Sequence, residues 1–182
     1  MKGAALYSMH TWIGTIQADI LPDPFRVRRI WLPGTYQPET CKTGVLAGSQ
    51  RLTNKSAVAE LRILDQMVRA YLELGKPLET PWQWLCQDHL TPLQLQVLRL
   101  TAEIPYGRVR TYRDIAADMG KPAAARFVGN ALAANPWPLL IPCHRVIRTN
   151  GAVGGFGGGT GMKTRLIKHE TGAKHPLLAH RW

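Results

Sequence analysis

The chain has 182 residues, 45% of them hydrophobic and 19% charged, enough for one large or two small domains with a core and too apolar for a disordered chain. No apolar run approaches the ~18 residues that a membrane span needs, and Met1–His10 lacks the apolar stretch of a secretory signal, so a soluble cytoplasmic protein with no membrane partner is expected. The net charge of +11 is uneven: residues 1–90 hold ten Lys/Arg against eight Asp/Glu and residues 91–182 hold thirteen against four, a split that fits either a polyanion partner or a basic solvated surface.

Thr11–Leu32 is rich in β-formers and is interrupted at Pro22-Asp23-Pro24. It predicts short strands joined by turns, with Arg26–Trp31 half-buried. Residues 34–54 read as an irregular surface loop. Ser56 is the expected cap of a helix to Leu74, with Leu61, Leu64, Val68, Tyr71 and Leu72 on one face and Gly75 and Pro77 ending it. Pro77–Asp88, with Trp82 and Trp84, reads as a linker pinned by aromatic burial, which puts a domain boundary near 76–90.

Beyond it the texture is helical. Thr91 caps and Pro92 opens a helix to about Glu103. After Pro105-Tyr106-Gly107, Thr111 caps a helix over Tyr112–Met119 that stops at Gly120-Lys121-Pro122. A third helix spans about Ala123–Ala134 and ends at Asn135-Pro136. Two short helices joined by a tight glycine-containing turn have the form of a helix-turn-helix. Leu139–Ile141 is a short buried run into Pro142-Cys143, and a glycine-rich loop, Gly151–Gly161, precedes a last helix capped by Thr160 and ended by Gly172.

Cys41, Cys86 and Cys143 are widely spaced with no C-x-x-C pair, which argues against a disulfide framework. A zinc site from Cys41, Cys86, His10 and His89 has no support in the spacing, and no metal is expected. The sharpest local feature is Ile141-Pro142-Cys143-His144-Arg145-Val146. A thiol reacts as thiolate and needs a proton acceptor, for which His144 is the candidate. Adjacent residues of an extended strand point to opposite faces, so either the backbone turns sharply at Cys143 or a water bridges the two side chains. A buried structural cysteine is the alternative.

Arg126–Pro136 followed by Ile141–Ile147, together with Thr91-Pro92, Ile104–Gly107, Tyr112 and His169-Glu170, resembles the O6-alkylguanine-DNA alkyltransferases over about half the chain. The resemblance implies an α/β amino-terminal supporting domain (residues 1–85), ribonuclease H-like, with a small antiparallel sheet and a helix. It implies a mostly α carboxy-terminal domain (residues 86–182) with a winged helix-turn-helix. It also implies irreversible, cofactor-free, stoichiometric transfer of an alkyl group from O6-alkylguanine, with O4-alkylthymine a second candidate substrate, in double-stranded DNA to Cys143 of a monomer.

In that scheme His144 takes the thiol proton through water and Glu170 orients the imidazole. Asn135 braces the helix-turn-helix against the cysteine turn, and Tyr112 protonates the departing guanine. Because O6 lies inside a paired stack, the nucleotide must be extruded. Arg126 matches the family's arginine finger that replaces it, on a helix whose small residues, including Ala125 and Gly129, suit the minor groove. Arg108, Arg110, Arg113 and Lys121 are candidates for phosphate contacts. Leu132, Val146, Val153, Phe156 and Gly157 would line the lesion pocket. Phe156 stands where a tyrosine is frequent and Gly157 where some members have serine, which implies a roomier pocket.

Three other readings compete. Gly155–Thr164 superficially suggests a phosphate loop, but Met162 separates Gly161 from Lys163-Thr164. An alkyltransferase-like protein that binds lesions without transfer would lack the reactive cysteine. A cysteine hydrolase needs an oxyanion hole, to which nothing in the sequence points.

Overall fold

The computed structural model describes residues 4–35 and 55–172, in two compact units, Met1–Cys86 and Gln87–Trp182. The expected loop over residues 34–54 lies almost wholly outside the described residues, as does Cys41. No helix among the described residues is long and apolar enough to cross a membrane.

The first unit is an antiparallel meander, β1 (Ala5–Thr11), β2 (Gly14–Pro22) and β3 (Phe25–Trp31), in that spatial order. Strand β1 is not anticipated by the sequence pattern because it buries only Ala5 and Met9; pairing with β2 from Ala5↔Ile20 to Thr11↔Gly14 holds it. A register shift between Asp19 and Ile20 breaks the alternation, so that Ala18, Asp19 and Ile20 are all buried. The Asp19 carboxylate is met by Arg28, 2.9 Å from Nε and 2.6 Å from Nη2. Helix α1 (Lys55–Leu74) packs on β1 and β3 and buries Ala57, Leu61, Leu64, Val68, Tyr71 and Leu72. Since α1 begins at Lys55, Ser56 sits in its first turn and does not cap it. The Pro77–Asp88 stretch is anchored by Leu85, which is buried and joins the edge of β3 through Cys86 N–H to Val27 O at 3.1 Å. Trp84 meets Phe25 edge-on with centroids 5.4 Å apart, but both tryptophans of the segment stay half-buried.

In the second unit α2 (Pro92–Ala102) and α3 (Tyr112–Asp118) each begin with a complete capping box, Thr91 with Gln94 and Thr111 with Asp114. Strand β4 (Arg110–Thr111) runs directly into α3 and pairs in parallel with β5 (Val146–Ile147). Gly120, with φ 71°, reverses the chain after α3. The third expected helix is split: Pro122–Ala124 is a tight 3-10 turn and α4 is Ala125–Ala133, 3-10 turns being frequent at helix starts. Helix α5 (Gly159–Thr171) ends on left-handed Gly172. It starts one residue before Thr160, which therefore lies within the first turn, and Gly158 occupies the cap position without a side-chain hydrogen bond.

Residues 139–147 form nine consecutive buried positions at the centre of this unit. Leu139 enters that run at φ 74°, a conformation costing a leucine ~1–2 kcal/mol. It is held by Ile141 N–H to Trp137 O at 2.8 Å and by Trp137, which is fully buried.

Thr111 stabilises the helix start that carries Tyr112. Thr111→Ala is expected to lower unfolding stability by about 1 kcal/mol, read as a reduced urea midpoint; an unchanged midpoint removes the capping box from that role.

Candidate active site

Parallel pairing of β4 with β5 matches Arg110 to Val146 and Thr111 to Ile147. Tyr112 follows the first strand at once, and Cys143-His144-Arg145 immediately precedes the second. One short ladder thus brings the phenol and the thiol into the same site. Cys143–Arg145 is a 3-10 turn, entered through Pro142 and closed by Val146 N–H to Cys143 O. The sharp turn at Cys143 is therefore present, and His144 is turned inward and fully buried.

Behind the cysteine lies a buried ionic cluster. Glu170 Oε1 is 2.7 Å from His144 Nε2 and 3.0 Å from Arg145 Nη2, while Oε2 accepts from Arg145 Nε at 2.9 Å and from the backbone N–H of Gly107 at 3.1 Å. Arg145 Nη1 donates to Ile104 O at 2.6 Å. Burial pushes the Glu170 carboxyl upward, but the hydrogen bonds and charges of His144 and Arg145 outweigh it and bring the pKa down to about 2. Burial also lowers the His144 pKa, against the hydrogen bond and charge of Glu170, a shift in the direction of the neutral imidazole, the form that can accept a proton. With Nε2–H directed at Glu170, the lone pair sits on Nδ1.

The thiol is buried, and that burial pushes its pKa up. A hydrogen bond from the Asn135 side chain and the charge of Lys163 act in the opposite direction. Asn135 also bonds the backbone on both sides of the strained turn, Nδ2 to Ile141 O at 3.2 Å and Oδ1 from Trp137 N–H at 3.0 Å.

Lys163 is a site residue that the sequence reading missed. It is 1% exposed, and its ammonium donates to Val146 O at 2.6 Å, Gly155 O at 3.2 Å and the Tyr112 hydroxyl at 3.3 Å. Burial, aided by Arg148, lowers its pKa to about 8 against the raising influence of Cys143. Its signal was the helical stripe of α5: Lys163, Leu166, Ile167 and Glu170 are the buried residues of that helix at spacings of three and four. The same geometry disposes of a phosphate loop, because this lysine faces inward onto carbonyls.

Cys143 and Tyr112 open onto a cleft of about 810 Å³ walled by α4 and the glycine-rich loop. Of the expected DNA and pocket residues, Arg113, Ala125, Arg126 and Gly129 line it, as do Leu132, Phe156 and Gly157. Val146 and Val153 do not; Val146 is fully buried and contributes its carbonyl to Lys163. Phe156 stands edge-on to His144 with centroids 6.4 Å apart. Arg110 is held in an ion pair with Asp118, which competes with the phosphate role expected of it. Lys121 is exposed but lies outside the cleft wall. Gly154 has φ +71°, and a Cβ there would stand 2.8 Å from the Tyr112 hydroxyl, so only glycine lets the loop close over the phenol. Among the described residues no group of three or more His, Cys, Asp or Glu could hold a metal ion.

Residues 92–172 match the family model described as 6-O-methylguanine DNA methyltransferase, DNA binding domain. The chain is 37% identical over 128 residues to the methylated-DNA–protein-cysteine methyltransferase of Methanothermobacter thermautotrophicus, covering 69% of this chain and 70% of that protein. The chain belongs to the methylated-DNA–protein-cysteine methyltransferase family. The inducible member from Bacillus subtilis is 51% identical over 87 residues, 48% of this chain, and the match spans about half its length, 49%. The fold extends further than that alignment. The crystal structure of the Mycobacterium tuberculosis O6-methylguanine methyltransferase superposes with a TM-score of 0.65 at 27% identity, covering 95% of this chain and 96% of that one.

The carboxylate that orients His144 in this family member is also a source of acid lability. Its pKa is held near 2 in the fold against about 4.3 in an unfolded chain, so its stabilisation is full above about pH 4.5 and is lost as pH falls through 2. Glu170→Gln leaves Arg145 buried without a counter-charge and is expected to cost ~3 kcal/mol at pH 7. The deficit should shrink toward pH 2 in urea titrations; a pH-independent deficit excludes the carboxylate charge as its origin.

Proposed function

We propose that the chain repairs alkylated double-stranded DNA by moving an alkyl group from O6 of guanine to Cys143 Sγ, once per molecule and without a cofactor. The observation that carries this is a cysteine on the wall of a basic cleft, backed by the buried His144–Glu170 pair. The Sγ–C bond forms as the C–O6 bond breaks in line. The thiol proton passes through a bridging water to His144 Nδ1, and the electron pair leaves with the guanine. Tyr112 protonates that leaving group and is itself resupplied by the Lys163 ammonium, 3.3 Å away, so protons and electrons balance. The product is a thioether with nothing nearby to cleave it, which limits each chain to a single turnover.

The guanine reaches the thiol by leaving its stack. The reading supported by the cleft is a winged helix-turn-helix laid on the minor groove, with α4 nearest the DNA and Arg126 filling the gap. Small residues at Ala125 and Gly129 permit close approach, and Arg113 is placed for a phosphate. The sheet and α1 of the first unit form the ribonuclease H-like supporting domain in this reading, and the protein acts as a monomer. Gly155 and Gly157 leave open space where a Cβ would stand, which suits adducts larger than methyl. A lesion-binding protein without transfer is disfavoured by the presence of Cys143 together with its complete proton-transfer partners.

Incubation with O6-methylguanine duplex is expected to add one methyl mass to the peptide containing Cys143, at one equivalent per chain, and Cys143→Ser to abolish the shift. Methylation at another residue, or continued turnover in excess substrate, overturns the mechanism.

Lys163 gives the reaction a pH signature. Its ammonium stabilises the thiolate and resupplies Tyr112, and both functions end as pH rises through about 8. The single-turnover rate should therefore fall above that pH, and Lys163→Met should be slower with that falling limb absent. A wild-type rate that climbs steadily to pH 10 excludes the ammonium from the mechanism.

A further inference from the structure

Among the described residues three arginines line the cleft, Arg113, Arg126 and Arg148, and no carboxylate does. The first two belong to the helix-turn-helix. Arg148 belongs to neither helix: it is the residue directly after β5. It is exposed and makes no ion pair with any described residue.

Its backbone is fixed at both ends. Before it, β5 is buried and paired with β4. After it, the chain reverses through Arg148 N–H to Ala152 O and Gly151 N–H to Arg148 O, each 2.9 Å, with Asn150 Oδ1 accepting from Ala152 N–H at 3.1 Å. Only the 3-10 turn and two strand residues separate it from Cys143. The guanidinium is thus carried on a rigid arm whose root moves with the nucleophile, and its charge is felt at both Tyr112 and Lys163.

A planar guanidinium on the open rim of a carboxylate-free cleft recognises a phosphodiester by charge and paired N–H donors. We propose that Arg148 is a positioning residue that grips the DNA phosphate beside the nucleotide turned into the cleft, from the side opposite the helix-turn-helix arginines in sequence. The proposal rests on the alkyltransferase reading. Arg113 and Arg126 hold the duplex through the helices, whereas Arg148 ties the extruded strand to the segment that bears the thiol. The alkyl group is then registered against Sγ by a contact made to the backbone and not to the base, independent of sequence.

The test compares wild type, Arg148→Gln and Arg148→Lys on O6-methylguanine duplex and on free O6-benzylguanine, with affinity for the duplex measured across a salt series. Methyl transfer to Cys143 by the wild type reports on the alkyltransferase reading in the same experiment, so failure of that reading is seen separately. Arg148→Gln is expected to bind duplex about fivefold to tenfold more weakly at low salt, with the slope of log affinity against log salt shallower by about one. Its rate loss on duplex should exceed that on the free base by at least fivefold, and Arg148→Lys should restore most of the salt slope. A wild-type salt slope in Arg148→Gln overturns the proposal, and so do equal rate losses on duplex and free base.

Discussion

The Glu170 carboxylate carries the architecture of the second unit. Three stretches of chain converge on its two oxygens: the reactive turn through His144 and Arg145, the reversal after α2 through the Gly107 N–H, and α5, which supplies the residue itself. Taking such a charge out of water costs several kcal/mol, and that cost is offset only when each lone pair finds a donor. Here every donor is placed by backbone that is itself fixed, since Arg145 reaches on to Ile104 O and Gly107 adopts the left-handed conformation with φ 73°. The cluster sets the imidazole's orientation, so the same contacts that hold the fold also fix how His144 is presented.

A second buried charge, the Lys163 ammonium, is organised differently. Among the described residues it pairs with no carboxylate, and it donates to two carbonyls and a phenol. A charge solvated by fixed dipoles remains available to any negative charge that develops nearby, and Cys143 is close enough to feel it. Glu170 and Lys163 sit seven residues apart on the inner stripe of one helix. Helix α5 therefore supplies both the carboxylate that orients His144 and the ammonium whose charge reaches Cys143.

Much of this was legible in the chain. The Pro-Cys-His-Arg run, the caps at Thr91 and Thr111 and the inner face of α1 are local patterns, and local patterns survive folding when they agree with their surroundings. What escaped was set by partners distant in sequence. Lys163 reads as a surface residue until its stripe with Leu166, Ile167 and Glu170 is laid out. Strand β1 has too few apolar residues to signal itself and exists through its pairing with β2. Arg110 counts as free cationic charge until α3 brings Asp118 back to it. Thr160 resembles a cap because it precedes the periodic residues, yet left-handed Gly159, with φ 84°, already opens the helix. The opposite-faces problem at Cys143 and His144 was correctly posed from the sequence; the chain turns there in a 3-10 turn that directs His144 onto Glu170, and that placement depends on buried contacts that no window of neighbours contains.

The glycines of the loop before α5 are not equivalent. At position 154 a single added carbon collides with the Tyr112 hydroxyl, whereas at 155 and 157 it meets open space, and neither of these has a positive φ. Divergence in this stretch is thereby partitioned. One position is closed to every side chain because the Tyr112 hydroxyl occupies its space, and two others can accept substituents that reshape the cleft wall without displacing the phenol. The width of the cleft can thus drift at those two sites while the position of Tyr112 stays fixed.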